Sequence, residues 1–300
     1  MANARKIPQP RLTITRKIAI LNKKLQPMHP QTLKVNDLEL TWYEGRSKGT
    51  PIVFLHGNSL SSEIFTEQFA DPLLADHYRL IALDLPGHGQ SGHSDDPLKD
   101  YSIPAFVNHF MSFVEKMQLE NAIFVGHSLG GHILMEAYER LKDRMLGMVI
   151  LGAPPFTLPP DQEKTHHEID AQFLVFQEEL SEEEIHQFAH ACVREGHEDP
   201  ELLMDALRHS DPDMRAGLGH SFSKGEIQDE TQILAQMSHP LAIFHGKGDQ
   251  LIRGDYFDEL ILPTLWHEKV QYIDQAGHCP QWENPEKFNE LLNNFIKEMG

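Results

Sequence analysis

The residues whose types and spacing carry the most chemistry are Gly126-His127-Ser128-Leu129-Gly130. A serine stands with glycines two positions to either side. Ala122-Ile123-Phe124-Val125 precedes it, apolar and β-branched, and reads as a buried strand; Gly131 to Arg140 follows and reads as a helix. A serine on a sharp strand-to-helix turn is a nucleophile-elbow pattern, in which a tight turn holds the hydroxyl out where a substrate can reach it. The glycines leave room where strand and helix pass closest. The helix starts at the serine and points its positive end at the site.

A serine hydroxyl needs a base to take its proton and an acid to orient that base. With nineteen histidines in the chain, residue type alone selects none. Position does: His278 follows the last predicted strand in an Ala276-Gly277-His278 turn, and Asp249 follows the penultimate strand. Ser, Asp, His is the chain order expected after such an elbow. Asp255 is the reserve acid. The oxyanion formed at an attacked carbonyl needs donors, and Leu129 supplies one amide directly after the nucleophile. Asn58, in the loop after the third strand, is positioned to supply the second, through its backbone or its side chain. His127 beside the nucleophile and Trp282 four residues after His278 are candidate pocket residues, with core packing as the alternative for each. Asp84, His56 and His88 read as loop-fixing residues.

These positions require a rim on which strand ends converge. Leu33 to Val35 and Leu38 to Tyr43 form a hairpin around Asn36-Asp37; further strands are predicted at Pro51–Leu55, Arg79–Leu83, Ala122–Val125, Gly147–Leu151, Leu241–His245 and Lys269–Ile273. Helical patterns separate most of them, including Pro104–Met117, Tyr256–Leu262 and Pro285–Met299. The expected fold is α/β: a mostly parallel eight-stranded sheet with helices on both faces and a helical lid inserted after the sixth strand. In such sheets ligands bind beyond the carboxyl ends of the strands, where His56-Gly57-Asn58, Asp84, Ser128 and Ala153-Pro154 all fall.

Charge divides the chain further. Net charge is −19, which argues against nucleic acid as a partner, and no apolar run is long enough for stable membrane insertion. Residues 1–32 form a basic leader, 33–155 and 238–300 the core, and 156–237 an acidic helical cap. The segment 156–237 holds nineteen Asp and Glu against five Lys and Arg, a net of −14. Its helices are signalled by a capping box at Ser181 and Glu184 and by Asp199-Pro200 and Asp211-Pro212. Only two cysteines occur, Cys192 and Cys279, too few for a disulfide framework. With no evident secretory signal, a cytoplasmic location is expected. His186 and His190 at i, i+4, with His166-His167-Glu168 nearby, raise a metal reading. The pair lacks the intervening Glu of a His-Glu-x-x-His motif, so no metal and no cofactor is expected.

Together His56-Gly57-Asn58-Ser59, Asp84 to Ser91, Gly126 to Gly131, Gly248-Asp249 and Ala276-Gly277-His278 resemble the α/β-hydrolase superfamily. With Ile64-Phe65, His132, Leu265-Trp266 and Ile273-Asp274-Gln275 added, the chain is similar to the serine-dependent N-acyl-homoserine lactonases, which open the lactone ring of bacterial quorum signals. It differs from them at His127, where a tryptophan is expected. The resemblance implies a serine hydrolase of small-molecule carboxylic esters or lactones, working through an acyl-enzyme with Ser128, His278 and Asp249. N-acyl-homoserine lactone hydrolysis is the narrower alternative. A slow or non-catalytic small-molecule receptor on the same fold is the alternative of another class.

Overall fold

The computed structural model describes residues 28–198 and 200–299. The basic positions from Arg5 to Lys24 and the N-cap expected at Asp199 lie outside the described residues. The strands are β1 (Pro30–Val35), β2 (Leu38–Glu44), β3 (Pro51–Leu55), β4 (Arg79–Leu83), β5 (Ala122–His127), β6 (Met145–Leu151), β7 (Leu241–Gly246) and β8 (Gln271–Ile273). They form one sheet in the order β1-β2-β4-β3-β5-β6-β7-β8. β1 and β2 pair antiparallel across the Asn36-Asp37 turn, β2 joins β4 antiparallel, and every later pairing is parallel. Asn36 takes φ +53, which the turn needs and asparagine tolerates.

Two helices, packed side by side, cover one face of the sheet at β5. α1 (Ile103–Lys116) starts at Ser102, whose hydroxyl accepts from Ala105 N at 3.2 Å. It lays Phe110 edge-on against Phe124 at 5.9 Å between ring centroids. α2 (Leu129–Leu141) is buried along most of its length, as the helix nearest the sheet centre must be. On the far side, Phe288 meets Phe244 at 5.6 Å from the closing helix, Pro285–Met299. Losing one such buried ring costs about 3–5 kcal/mol.

Between β6 and β7 the chain inserts its cap: α3 (Glu182–Ala191), α4 (Glu201–His209), α5 (Pro212–Ser223) and α6 (Glu230–Gln236), with short turns between. The Ser181/Glu184 capping box forms, and Asp211 caps α5 through Asp213 N at 3.1 Å. Asp211 also accepts from Tyr101 Oη at 2.6 Å, tying cap to core. Arg215, on α5, is buried inside the cap and donates to Gln177 O, Glu178 O and Ser210 Oγ, so its charge is met by three acceptors that tie the cap together.

Several elements run one or two residues past or short of the expected bounds, among them β2, β5, β6, β7 and α1; three further differences are instructive. β1 begins at Pro30, ahead of Leu33, because Pro30 to Thr32 pair with Thr41 to Tyr43; these residues are exposed and show no apolar alternation. Tyr256–Leu262 is a shorter 3₁₀ turn at Gly254–Glu259, with the backbone already extended at Leu260; Pro263 separately disfavours helix at Leu262, the residue before it. The last strand starts at Gln271. Among the described residues no helix is long and apolar enough to cross a membrane.

Candidate active site

β5 runs buried to His127, and the chain then turns at Ser128 with φ +51 and ψ −118. That conformation is strained for a side-chain-bearing residue. Ser128 N donates to Leu151 O at 2.9 Å, which pins the turn to β6. A Cβ at Gly126 would meet Gly130 O at 2.5 Å, and one at Gly130 would strike Leu55 O, so the turn closes only with glycine at both places. Leu129 opens α2, where the first N–H groups have no acceptor within the helix.

Asp249 and His278 come together from the ends of β7 and β8. His278 Nδ1 lies 3.0 Å from Asp249 Oδ2, both side chains buried. The other oxygen, Asp249 Oδ1, accepts from Leu251 N at 2.9 Å and Ile252 N at 3.0 Å. Burial pushes the Asp249 carboxyl up, but the His278 charge and hydrogen bond, His245 and the Ile252 N–H outweigh it and hold it at about 2. Asp249 is therefore ionised at neutral pH and can hold the imidazole with Nδ1 protonated and Nε2 free to take a proton. Asp255 is exposed and pairs with Arg253 at 2.8 Å, away from any histidine contact of this kind.

Ser128 and His278 line one cavity with about 490 Å³ of open space, its mouth included. The core contributes Gly57, Asn58, Leu60 and His127 to its wall; Leu251 and Ile252 come from the acid loop. The cap closes it with His166, Val175, Phe188 and Cys192. Asn58 Nδ2 donates to Val175 O at 2.8 Å, and its Oδ1 accepts from Ser59 Oγ at 3.0 Å. The side chain thus ties the loop to the cap, which leaves the backbone amide as the natural donor toward a substrate.

His127 lies in the wall with its ring 5.0 Å from that of His278, and its Nε2 is 2.9 Å from His278 O. Its burial drives its pKa well below the usual histidine range, so the ring is neutral. Its Nδ1 is buried without a hydrogen-bond partner among the described residues. Trp282 is not among the residues lining this cavity; its ring packs on His197 at 5.1 Å. Asp84 accepts from Ser62 N and Gln90 N, and His56 Nε2 accepts from Leu85 N, so both fix loops as their positions suggest. His186 and His190 lie ring against ring at 4.1 Å.

Two residues join the site that the sequence did not assign to it. His166 reaches the cavity because His167 N donates to Leu251 O and Arg253 N to Thr165 O, zipping the start of the cap onto the acid loop. Burial lowers its pKa to about 4, so it too is neutral. His245 lies behind the acid, Nδ1 3.9 Å from Asp249 Oδ2. Its place at the end of a predicted strand was visible, but its approach to Asp249 depends on the fold of the intervening loop.

Three comparisons bear on this arrangement. A family model described as the alpha/beta hydrolase fold matches residues 50–285. AB hydrolase superfamily protein YisY of Bacillus subtilis is 27% identical over 286 residues, covering 88% of this chain and 97% of YisY. The crystal structure of a serine-to-glycine mutant of the N-acyl homoserine lactonase AidH, complexed with N-hexanoyl homoserine lactone, superposes with a TM-score of 0.84 at 28% identity, over 91% of this chain and 98% of that one. AidH complexed with N-butanoyl homoserine is equally similar, with the same TM-score and identity.

Proposed function

The chain belongs to the α/β-hydrolase family, and we propose from that premise that it hydrolyses lactones of the N-acyl-homoserine class, with small carboxylic esters as weaker substrates. The observation that carries the reading is a single cavity, mostly apolar and closed by the cap, whose wall holds Ser128, His278 and the Asn58 loop, with Asp249 behind the histidine. The likeness to AidH supports a lactone over an acyclic ester.

Ser128 Oγ attacks the ring carbonyl as His278 Nε2 takes its proton. Asp249 holds the imidazolium through Nδ1. The oxyanion is met by the backbone N–H groups of Leu129 and Asn58. The ring C–O bond then breaks, and the departing alkoxide takes the proton from His278. Because the leaving group belongs to the ring, it stays attached to the acyl-enzyme. Water, deprotonated by His278, attacks the ester carbonyl and releases the hydroxy acid with Ser128 restored. His127 and His166 are neutral around this cavity, which suits an uncharged substrate.

The test is turnover of N-butanoyl- and N-hexanoyl-homoserine lactones beside p-nitrophenyl acetate, butyrate and octanoate, with Ser128→Ala as control. Lactone opening faster than ester cleavage, abolished in a folded Ser128→Ala variant, is the expected result. Ester cleavage with inert lactones overturns the substrate, and activity retained by Ser128→Ala overturns the mechanism.

A further inference from the structure

We propose that Glu283 is a positioning residue that sets the turn carrying His278 and makes that setting depend on the seating of the cap. The inference rests on His278 as the base proposed above. Glu283 Oε2 accepts from Gly277 N at 2.7 Å and from Cys279 N at 3.2 Å, the two peptide N–H groups on either side of His278. Glu283 Oε1 accepts from Arg194 N at 2.8 Å, in the cap segment just after α3. One half-buried carboxylate thus gathers three backbone donors from two parts of the chain that share no other element.

A carboxylate suits this place because it has only acceptor sites, enough for all three donors, and its charge strengthens each bond. The turn itself supplies little stiffness. Gly277 has no side chain, and a Cβ there would strike Arg194 N, so the cap backbone packs directly on the turn. The neighbouring acid loop grips the same cap segment: Gln250 Nε2 donates to His190 O at 3.0 Å and Val193 O at 2.5 Å. That segment also brings Phe188 and Cys192 to the cavity wall. A cap that lifts at Arg194 therefore releases one arm of the clamp that orients the base, while a seated cap completes it.

Two variants separate the arms. Glu283→Gln can keep its amide oxygen on Gly277 and Cys279, but it sets an N–H group against the N–H of Arg194. Glu283→Ala loses both arms. The readouts are the rate at which a fluorophosphonate labels Ser128, which needs no natural substrate, and kcat and KM on N-hexanoyl-homoserine lactone and p-nitrophenyl acetate. Folding is followed by near-ultraviolet circular dichroism, with His278→Ala as reference. Glu283→Ala is expected to lose about 10- to 100-fold in labelling rate and kcat, the scale of a misplaced catalytic group. Glu283→Gln is expected to hold kcat within about threefold and to raise KM several-fold. A role confined to stability would lower the melting temperature and leave the kinetics of the folded protein unchanged. Wild-type kinetics in folded Glu283→Gln, or in Glu283→Ala, with labelling lost in His278→Ala, overturns the proposal while the base assignment stands. Wild-type labelling in His278→Ala overturns the base assignment and this proposal with it.

Discussion

Replacing Asp249 by asparagine tests the site at the atom on which it turns. Asp249 Oδ1 faces two backbone donors, Leu251 N and Ile252 N, and Oδ2 faces His278 Nδ1. An asparagine must turn its carbonyl oxygen to the two backbone N–H groups, since an NH₂ there would meet two donors. Its NH₂ then faces Nδ1, and His278 can accept from it only as the tautomer protonated on Nε2. That tautomer has no lone pair for the Ser128 proton. The expected loss is about 10⁴ in kcat, or about 5.5 kcal/mol of activation free energy. The assay is kcat for a lactone and for p-nitrophenyl acetate at pH 7 to 8, with Asp255→Asn as the comparison expected to stay within about twofold, because that carboxylate is exposed and pairs only locally. A folded Asp249→Asn enzyme within tenfold of wild type refutes the reasoning. The same carboxylate has a thermodynamic signature. Its folded pKa of about 2 lies below the ordinary 3.8, because the His278 interaction outweighs the opposing effect of burial. A depressed carboxylate stabilises the fold above its unfolded value, and the contribution is lost as pH falls through the folded one. Here that is roughly 2 kcal/mol lost between pH 5 and pH 2. Urea unfolding across that range should fall more steeply for wild type than for Asp249→Asn.

Ser128→Gly should be more stable than wild type despite being inactive. The φ +51, ψ −118 conformation costs the serine about 1–3 kcal/mol, and glycine's own entropic cost returns about 0.5–1 kcal/mol. The net is a melting temperature about 2 °C higher by calorimetry, and an unchanged or lower value argues against strain at the turn. Glu230→Ala should destabilise by about 3–5 kcal/mol in urea at pH 7. Glu230 is fully buried and accepts from Phe156 N at 2.8 Å, with His132 Nδ1 at 2.9 Å, joining both ends of the cap to α2. A loss under about 1 kcal/mol would show that this joint contributes little.

The parallel sheet, the insertion point of the cap and the elbow were all legible in the chain, each for a local reason. Strands buried on both faces must be apolar throughout, as Pro51–Leu55 and Ala122–Val125 are, and that pattern survives in one dimension. The elbow packs a strand end against a helix start within five residues, so Gly126 and Gly130 record its close contacts directly. The Ser181 and Asp211 caps were legible because the groups they satisfy lie two or three residues away. Which distant groups meet depends on how the strands and the cap are assembled. Of nineteen histidines, chain position singled out His278, but the 3.0 Å contact to Asp249 exists because β7 and β8 end side by side. Trp282, read as a pocket candidate four residues from His278, points to His197, since the short helix Pro280–Glu283 turns it away. Asn58 gives its side-chain amide to Val175, and His166 enters the cavity wall, because the cap docks over the strand ends. Local patterns are imposed by sterics and solvation among neighbours in sequence. Convergence at the rim is imposed by strand order and cap docking, whose contacts join residues 29 positions apart at His278–Asp249 and 117 apart at Asn58–Val175 and leave no periodic trace in the chain.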